Sequence, residues 1–343
     1  MPDALNNLGL VLQSEGNSGE ALPLFERAVR LSKVSPDELR TLTLMSNWGD
    51  VLGDVAQYPQ AEQILRVVVE RRRKLLGDNH PQVPLAMMKL AWVLMLTGSY
   101  AEAETISLAA LEGFRRTVGQ EHYNFIATTN NLGRLYLEVG RPKEAEVRFR
   151  SALELGRRNL GPAHAVIASY QTNLGVVLLE RGDLKAAEPL LRSSLAICRK
   201  FRVPTRQTAA VLAAYGRLLV AQGELDAAEP MLTEALALRL AQYGKSHPFI
   251  SDSLLLLANV RVKQKRCAEA VPLSREALAM ARQFLPERHP LIANAALTAA
   301  RALGACGHAD EAQPLAIEAL RIRTELMPAG AWQIGEARHW NGR

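Results

Sequence analysis

The sequence predicts an all-α fold, a solenoid of about eight helix-turn-helix units, and three observations carry that expectation. Composition comes first: of 343 residues 48% are hydrophobic but only 5% aromatic, with alanine and leucine abundant, a balance that favours helices over strands, which draw on β-branched and aromatic side chains. Second, one motif recurs. Asn131-Leu132-Gly133-Arg134-Leu135-Tyr136, followed by Gly140 and Ala145, returns as Asn173-Leu174-Gly175-Val176-Val177-Leu178, followed by Gly182 and Ala187, a step of 42 residues. Third, two small-residue rows keep one register through the chain, and a fixed period of this length is the mark of a repeat architecture.

In chain order the first row runs Gly9, Gly49, Ala91, Gly133, Gly175, Gly216, Ala258 and Ala300, and the second Ala21, Ala61, Ala103, Ala145, Ala187, Ala228, Ala270 and Ala312. Each first-row residue marks a first helix and each second-row residue a second helix. In the fourth copy a first helix is expected from about Asn124 to Val139, with Leu132, Leu135 and Tyr136 on one face. Gly140-Arg141-Pro142 stops it, and a second helix from about Lys143 carries Ala145, Phe149, Ala152 and Leu153 inward until Gly161-Pro162. Helices approach closely only where no bulky side chain intervenes, so Gly133 is expected to face Ala145 as a packing notch. Five prolines, Pro23, Pro189, Pro230, Pro272 and Pro314, each lie two residues after the second row; either those helices begin later than the pattern suggests or their first turns are kinked.

The array is expected to span residues 1–326. Residues 327–343 would start a ninth repeat or form a tail. The first marker lies only eight residues after Met1, and solenoid ends need polar caps, so the chain reads as a segment of a longer array.

Those residues resemble the tetratricopeptide-repeat family, which packs helix pairs through a small residue after a leucine in the first helix and an alanine in the second. The copies here are longer than the family's common unit of about 34 residues. The extra stretch carries Gly77-Asp78-Asn79-His80-Pro81, Gly119-Gln120-Glu121-His122, Gly161-Pro162-Ala163-His164, Gly244-Lys245-Ser246-His247-Pro248 and Glu287-Arg288-His289-Pro290, and so is similar to the long-repeat variant of kinesin light chains and many bacterial signalling proteins. Two copies depart from the pattern: the sixth has Pro204-Thr205-Arg206 where the histidine belongs, and the second has Trp48 in place of the leucine. The resemblance implies a right-handed superhelix whose first helices line a concave groove.

That implication selects the candidate site. Asn7, Asn47, Asn131 and Asn173 sit two residues before the first marker, where side-chain amides offering both donor and acceptor suit the backbone of an extended peptide. Arg134, Arg217 and Arg301 sit one residue after it and would supply charge for a carboxylate or phosphate; Tyr136 and its apolar neighbours would add specificity. The expected function is a non-catalytic scaffold that holds a peptide or protein segment. Two alternatives stand beside it: the sensor or regulatory part of a larger signalling protein, and a binder of RNA or an anionic surface through basic helix ends. A clamp for acidic chaperone tails would need a lysine four residues before an asparagine in one first helix and a lysine and arginine four apart two repeats later, which no copy supplies.

Other features count against other chemistries. There is no G-x-x-x-x-G-K-[ST], H-E-x-x-H or G-x-S-x-G, and no enzyme, metal or cofactor is expected. The histidines recur one repeat apart, too far to share an ion whose ligands lie ~2 Å away, and are expected to hydrogen-bond at the turn before a helix. The clusters Arg71-Arg72-Arg73-Lys74, Arg115-Arg116, Arg157-Arg158 and Arg199-Lys200 close second helices, where cations complement the dipole. They have no interleaved aromatics, which argues against nucleic acid, and a net charge of +6 is mild for this length. Cys198, Cys267 and Cys306 are far apart in sequence and read as reduced thiols. The longest apolar run, Leu254 to Ala258, is far short of a membrane span, so the chain is expected in the cytoplasm.

Overall fold

The computed structural model describes residues 1–32, 37–201 and 205–326; the proposed ninth repeat or tail, 327–343, lies outside them. Among the described residues every element is helical. They gather into two compact units, Met1–Leu135 with Ser151–Gly161, and Tyr136–Arg150 with the described residues from Pro162 onward.

The first unit holds α1 (Pro2–Ser14), α2 (Ser18–Ser32), α3 (Glu38–Asp54), α4 (Tyr58–Leu76), α5 (Gln82–Leu96) and α6 (Tyr100–Thr117). Parts of α7 (Tyr123–Glu138) and α8 (Pro142–Leu160) fall in each unit. The second unit continues with α9 (Ala165–Glu180), α10 (Leu184–Phe201), α11 (Thr205–Gln222), α12 (Leu225–Tyr243), α13 (Pro248–Lys263), α14 (Cys267–Phe284), α15 (Pro290–Ala305) and α16 (Ala309–Leu326). Odd-numbered helices carry the first marker and even-numbered helices the second.

One device builds every helix-turn-helix. Seven residues after the first marker the chain turns left-handed, at Gly16, Ala56, Gly98, Gly140, Gly182, Gly223, Lys265 and Gly307. The next residue then donates its N–H to the carbonyl five positions back, from Asn17 to Leu12, Asp183 to Leu178 and His308 to Leu303 among the eight, at 2.7–2.9 Å. This is the six-to-one closure of a Schellman cap. Ala56 (φ 61°) and Lys265 (φ 60°) do this with a Cβ, which costs about 1–2 kcal/mol relative to the right-handed region. Ala56→Gly should therefore raise stability by up to ~1 kcal/mol after allowing for the greater freedom of glycine in the unfolded chain. A melting temperature that falls would show that this turn is not strained.

The second closure uses the histidines as expected. His80, His122, His164, His247 and His289 each accept at Nδ1 from the backbone N–H two residues on, at 3.1–3.3 Å, the part an N-cap side chain plays. Where a proline follows, at Pro81, Pro248 and Pro290, its missing donor falls where the helix has no use for one.

The five interior prolines resolve one of the sequence's alternatives. Their helices begin five residues earlier, not later. Each proline removes the donor to the second residue of its helix, Gly19, Lys185, Asp226, Ala268 or Asp310. All five of those residues are exposed, so water can satisfy the freed carbonyl.

Packing defines a notch at four of the marker glycines. The second-row alanines are buried, as expected, and at Gly9, Gly49, Gly175 and Gly216 the side chain nearest the absent Cβ is that of the residue sixteen positions on. A Cβ on Gly9 would lie 2.9 Å from Phe25, on Gly49 2.8 Å from Leu65, on Gly175 2.6 Å from Leu191 and on Gly216 2.5 Å from Leu232. Where the marker is alanine, at Ala91, Ala258 and Ala300, the residue sixteen on is small and buried: Ser107, Ser274 and Ala316. A bulky side chain thus sits where the marker has none, and a small one where the marker carries a methyl, which avoids overlap in a close-packed interior.

Two further expectations are overturned. Cys267 and Cys306 are joined in a disulfide with a Cα–Cα separation of 5.5 Å, while Cys198 stays free and buried. Stacking, invisible in the spacing of cysteines, brings the start of α14 beside the end of α15. Arg72 is not part of a solvated cluster: it is 2% exposed, its Nη1 donates to the Gln82 carbonyl at 3.2 Å, and burial pushes its pKa below that of a free guanidinium. Its neighbours behave as expected, Arg71 pairing with Glu38 at 2.8 Å, Lys74 with Glu70 at 2.6 Å and Arg115 with Glu112 at 2.8 Å. No helix among the described residues is long and apolar enough to cross a membrane.

Candidate binding groove

The positions just before and after the first marker are three residues apart on each odd-numbered helix and so share a face. In the second unit this face bounds a groove of about 350 Å³. Arg217 from α11, Asn259 from α13 and Arg301 from α15 line it at one repeat phase, and Leu255, Leu256 and Leu297 form an apolar floor. Carboxylates enter as well: Glu180 holds Arg217 at 3.4 Å, and Asp252 accepts from Arg239 at 2.8 Å. At the end of the groove Arg323 donates to Asn294 Oδ1 at 2.8 Å. The trough thus combines apolar area, guanidinium donors and oriented amides, the mixture that fixes a ligand's position while burying its side chains.

In the first unit the corresponding residues have largely paired with one another. Asn47 donates to Asn6 Oδ1 at 2.9 Å and accepts from Lys89 at 3.3 Å, and Lys89 also meets Asp50 at 3.3 Å. Asn7 is exposed and accepts from Asn6 at 3.4 Å. The Arg134 guanidinium lies 4.3 Å over the Trp92 ring, a cation–π contact. Asn131, Trp92 and Met88 line a cavity of about 10 Å³, about the size of one water-sized probe.

Of the residues singled out from sequence, the structure brings Arg217 and Arg301 into one groove. It places Asn7, Asn47, Asn131 and Arg134 in the first unit. Asn173 is half-buried on α9 and does not line the groove. Tyr136 is a correction: it is 5% exposed, with the Arg141 guanidinium 4.3 Å above its ring, so the Leu132–Leu135–Tyr136 face serves the core and leaves no aromatic surface for a ligand. Sequence reasoning missed Asn259, Asn294, Asp252 and Glu180. Asn259 was within reach, since it holds the phase of Arg217 and Arg301. The acidic residues were not, because their neighbours come from other repeats.

Comparison with known proteins bears on the fold. The tetratricopeptide-repeat family model matches in seven overlapping stretches, residues 1–74, 40–116, 83–158, 124–200, 166–241, 207–283 and 249–325. Among solved structures, a Rap protein complexed with competence and sporulation factor aligns over 100% of this chain and 96% of its own, at 12% identity and a TM-score of 0.63. BtubC (BKLC) from P. vanneervenii aligns over 68% of this chain and 93% of its own, at 21% identity and a TM-score of 0.51. At these identities the likeness is one of fold. No curated protein is similar enough to match. With helix pairs, marker rows and family matches coinciding from the first repeat to the eighth, the chain belongs to the tetratricopeptide-repeat family.

Proposed function

We propose that the chain binds a peptide or protein segment without catalysing a reaction on it, and that the groove of the second unit is the binding surface. The observation that carries this reading is the alignment of Arg217, Asn259 and Arg301 on three successive odd-numbered helices above the leucine floor. An extended segment laid across those helices would meet a donor from each and bury side chains between them. The fold is compatible with such a partner, since a Rap protein that shares it is complexed with competence and sporulation factor. In the first unit Asn7, Asn131 and Arg134 would form a second contact strip.

As the sensor part of a larger signalling protein, the chain would use the same groove, with occupancy as its signal. The anionic-surface alternative has less behind it, because Arg71, Lys74, Arg115 and Arg158 each pair with a carboxylate.

Selection of a random peptide library on the intact chain supplies the test. Enriched peptides should lose at least ~10-fold in affinity against Arg217→Ala/Arg301→Ala, the loss of about one charge-assisted hydrogen bond. Helicity should stay unchanged, and Asn47→Ala, whose amide is already engaged, should bind normally. No enrichment, or equal affinity for the double variant, rejects the groove. A contact set by phosphate-like attraction would instead weaken steeply with salt.

A further inference from the structure

The disulfide stands at a place where the fold makes contact without it. Cys267 lies nine residues after the marker of its repeat, and Cys306 six after the marker of the next. At the same two phases the second unit has Leu184 with Gln222, and Leu225 with Gln264, pairs that cannot cross-link. A covalent bond is thus not needed for repeats to stack, and where present it adds a restraint. Both sulfurs belong to half-buried residues, within reach of a small reductant.

What the bond restrains is defined by its neighbours. Cys306 follows Arg301 by five residues at the end of α15, and Cys267 opens α14 after the turn that ends α13, the helix of Asn259. Helices α13 and α15 are adjacent walls of the groove. The turn between α13 and α14 is the one that places Lys265 at φ 60°, whereas Gly140, Gly182, Gly223 and Gly307 serve at that position elsewhere in the unit. Ala56 takes the same conformation without a disulfide, so the bond, two residues from Lys265, adds a restraint to a turn that the Arg266-to-Arg261 hydrogen bond already closes. Cys198, by contrast, sits inside α10, where burial raises its thiol pKa and leaves it a poor nucleophile.

We propose that the Cys267–Cys306 bond is a redox-controlled staple that fixes the α13 and α15 walls of the groove relative to each other, and that a dithiol reductant loosens them. One thiolate of the reductant attacks a cysteine sulfur, and the other cysteine leaves as a thiolate and takes a proton. The second thiol of the reductant then displaces the first cysteine from the mixed disulfide. Two electrons pass to the cysteine pair and the reductant departs as its own disulfide. The consequence for binding rests on the groove reading; the mechanical effect does not.

Dithiothreitol applied to the intact, folded chain tests both. Alkylation of the folded chain should find no reactive thiol before reduction, since Cys198 is buried, and two after, with helicity retained. Amide exchange in α13–α16 should quicken by roughly tenfold or more on reduction, while α9–α12 stay unchanged. Cys267→Ser/Cys306→Ser should show the fast rate with or without dithiothreitol. A library-selected groove peptide should bind more weakly to the reduced chain. Exchange that is unchanged by reduction, or a bond that opens only on global unfolding, overturns the staple. Altered exchange with unaltered peptide affinity overturns its control of the groove. Should no peptide bind in either state, the groove reading fails and the exchange result alone decides the staple.

Discussion

Leu232→Ala should lower the unfolding free energy by about 3 kcal/mol, and the sign of a second change, Gly216→Ala, should depend on whether Leu232 is present. Leu232 is 1% exposed and packs with Leu219, Leu257 and Val260, so truncation leaves a cavity in a place where two repeats meet, with a cost in the usual ~2–5 kcal/mol range. In the native background a Cβ on Gly216 would lie 2.5 Å from Leu232 Cδ2 and 2.7 Å from its Cγ. Overpacking of that kind costs about 1–3 kcal/mol, offset in part by the ~1 kcal/mol helix preference of alanine over glycine. With Leu232 already trimmed, the methyl enters vacant space and the helix preference acts alone, so Gly216→Ala should recover about 1 kcal/mol. The native chain already contains this solution at Ala300, whose partner is Ala316. Denaturant unfolding, with amide exchange of α11 and α12 to localise the change, gives the double-mutant cycle. Additive effects within ~0.5 kcal/mol would falsify the notch.

The same pair shows how far the sequence could be read. Period, helix pairing and the two marker rows were legible because stacking forces one register on every copy. The histidine caps were legible too, since a single residue at a turn can be assigned from its local chemistry. The notch was half legible: the small marker was visible, but its bulky or small partner sixteen residues on was masked by the more regular alanine row. Tyr136 failed for a geometric reason. It is three residues from Gly133 and one from Leu135, and a helix face defined only to within a residue cannot separate groove from core. The disulfide and the carboxylates Asp252 and Glu180 failed for another, since they are assembled by contacts between repeats that carry no mark in either partner alone.

Arg239 belongs to that second group, and its loss should cost about 3 kcal/mol. It lies eleven residues after the second-row alanine of its repeat, the phase also held by Arg72 and Arg323, and all three are buried. A helix-terminal arginine would ordinarily reach for water. Here Nη1 donates inward to the Phe249 carbonyl at 2.6 Å, to Asp252 at 2.8 Å and to Ser253 at 2.8 Å. The carbonyl is in the first turn of α13, which Arg239 thereby fastens to the helix before it, as Arg72 fastens the Gln82 carbonyl at the start of α5. Hydrogen bonds to a charged donor contribute ~1.5–3 kcal/mol in such settings. The Asp252 side chain is 41% exposed, so its charge returns to water when the arginine is removed, and the full cost of stranding a buried ion does not apply. Arg239→Lys should recover part of the loss, because all three bonds leave one nitrogen and an ammonium also carries three donors. Arg282→Ala is the control: it forms a 2.5 Å pair with Glu318, but its side chain is 49% exposed, and its loss should stay within ~0.5 kcal/mol. If Arg239→Ala destabilises α12 and α13 no more than this control does, the buried guanidinium is filling space and the fastening role is lost.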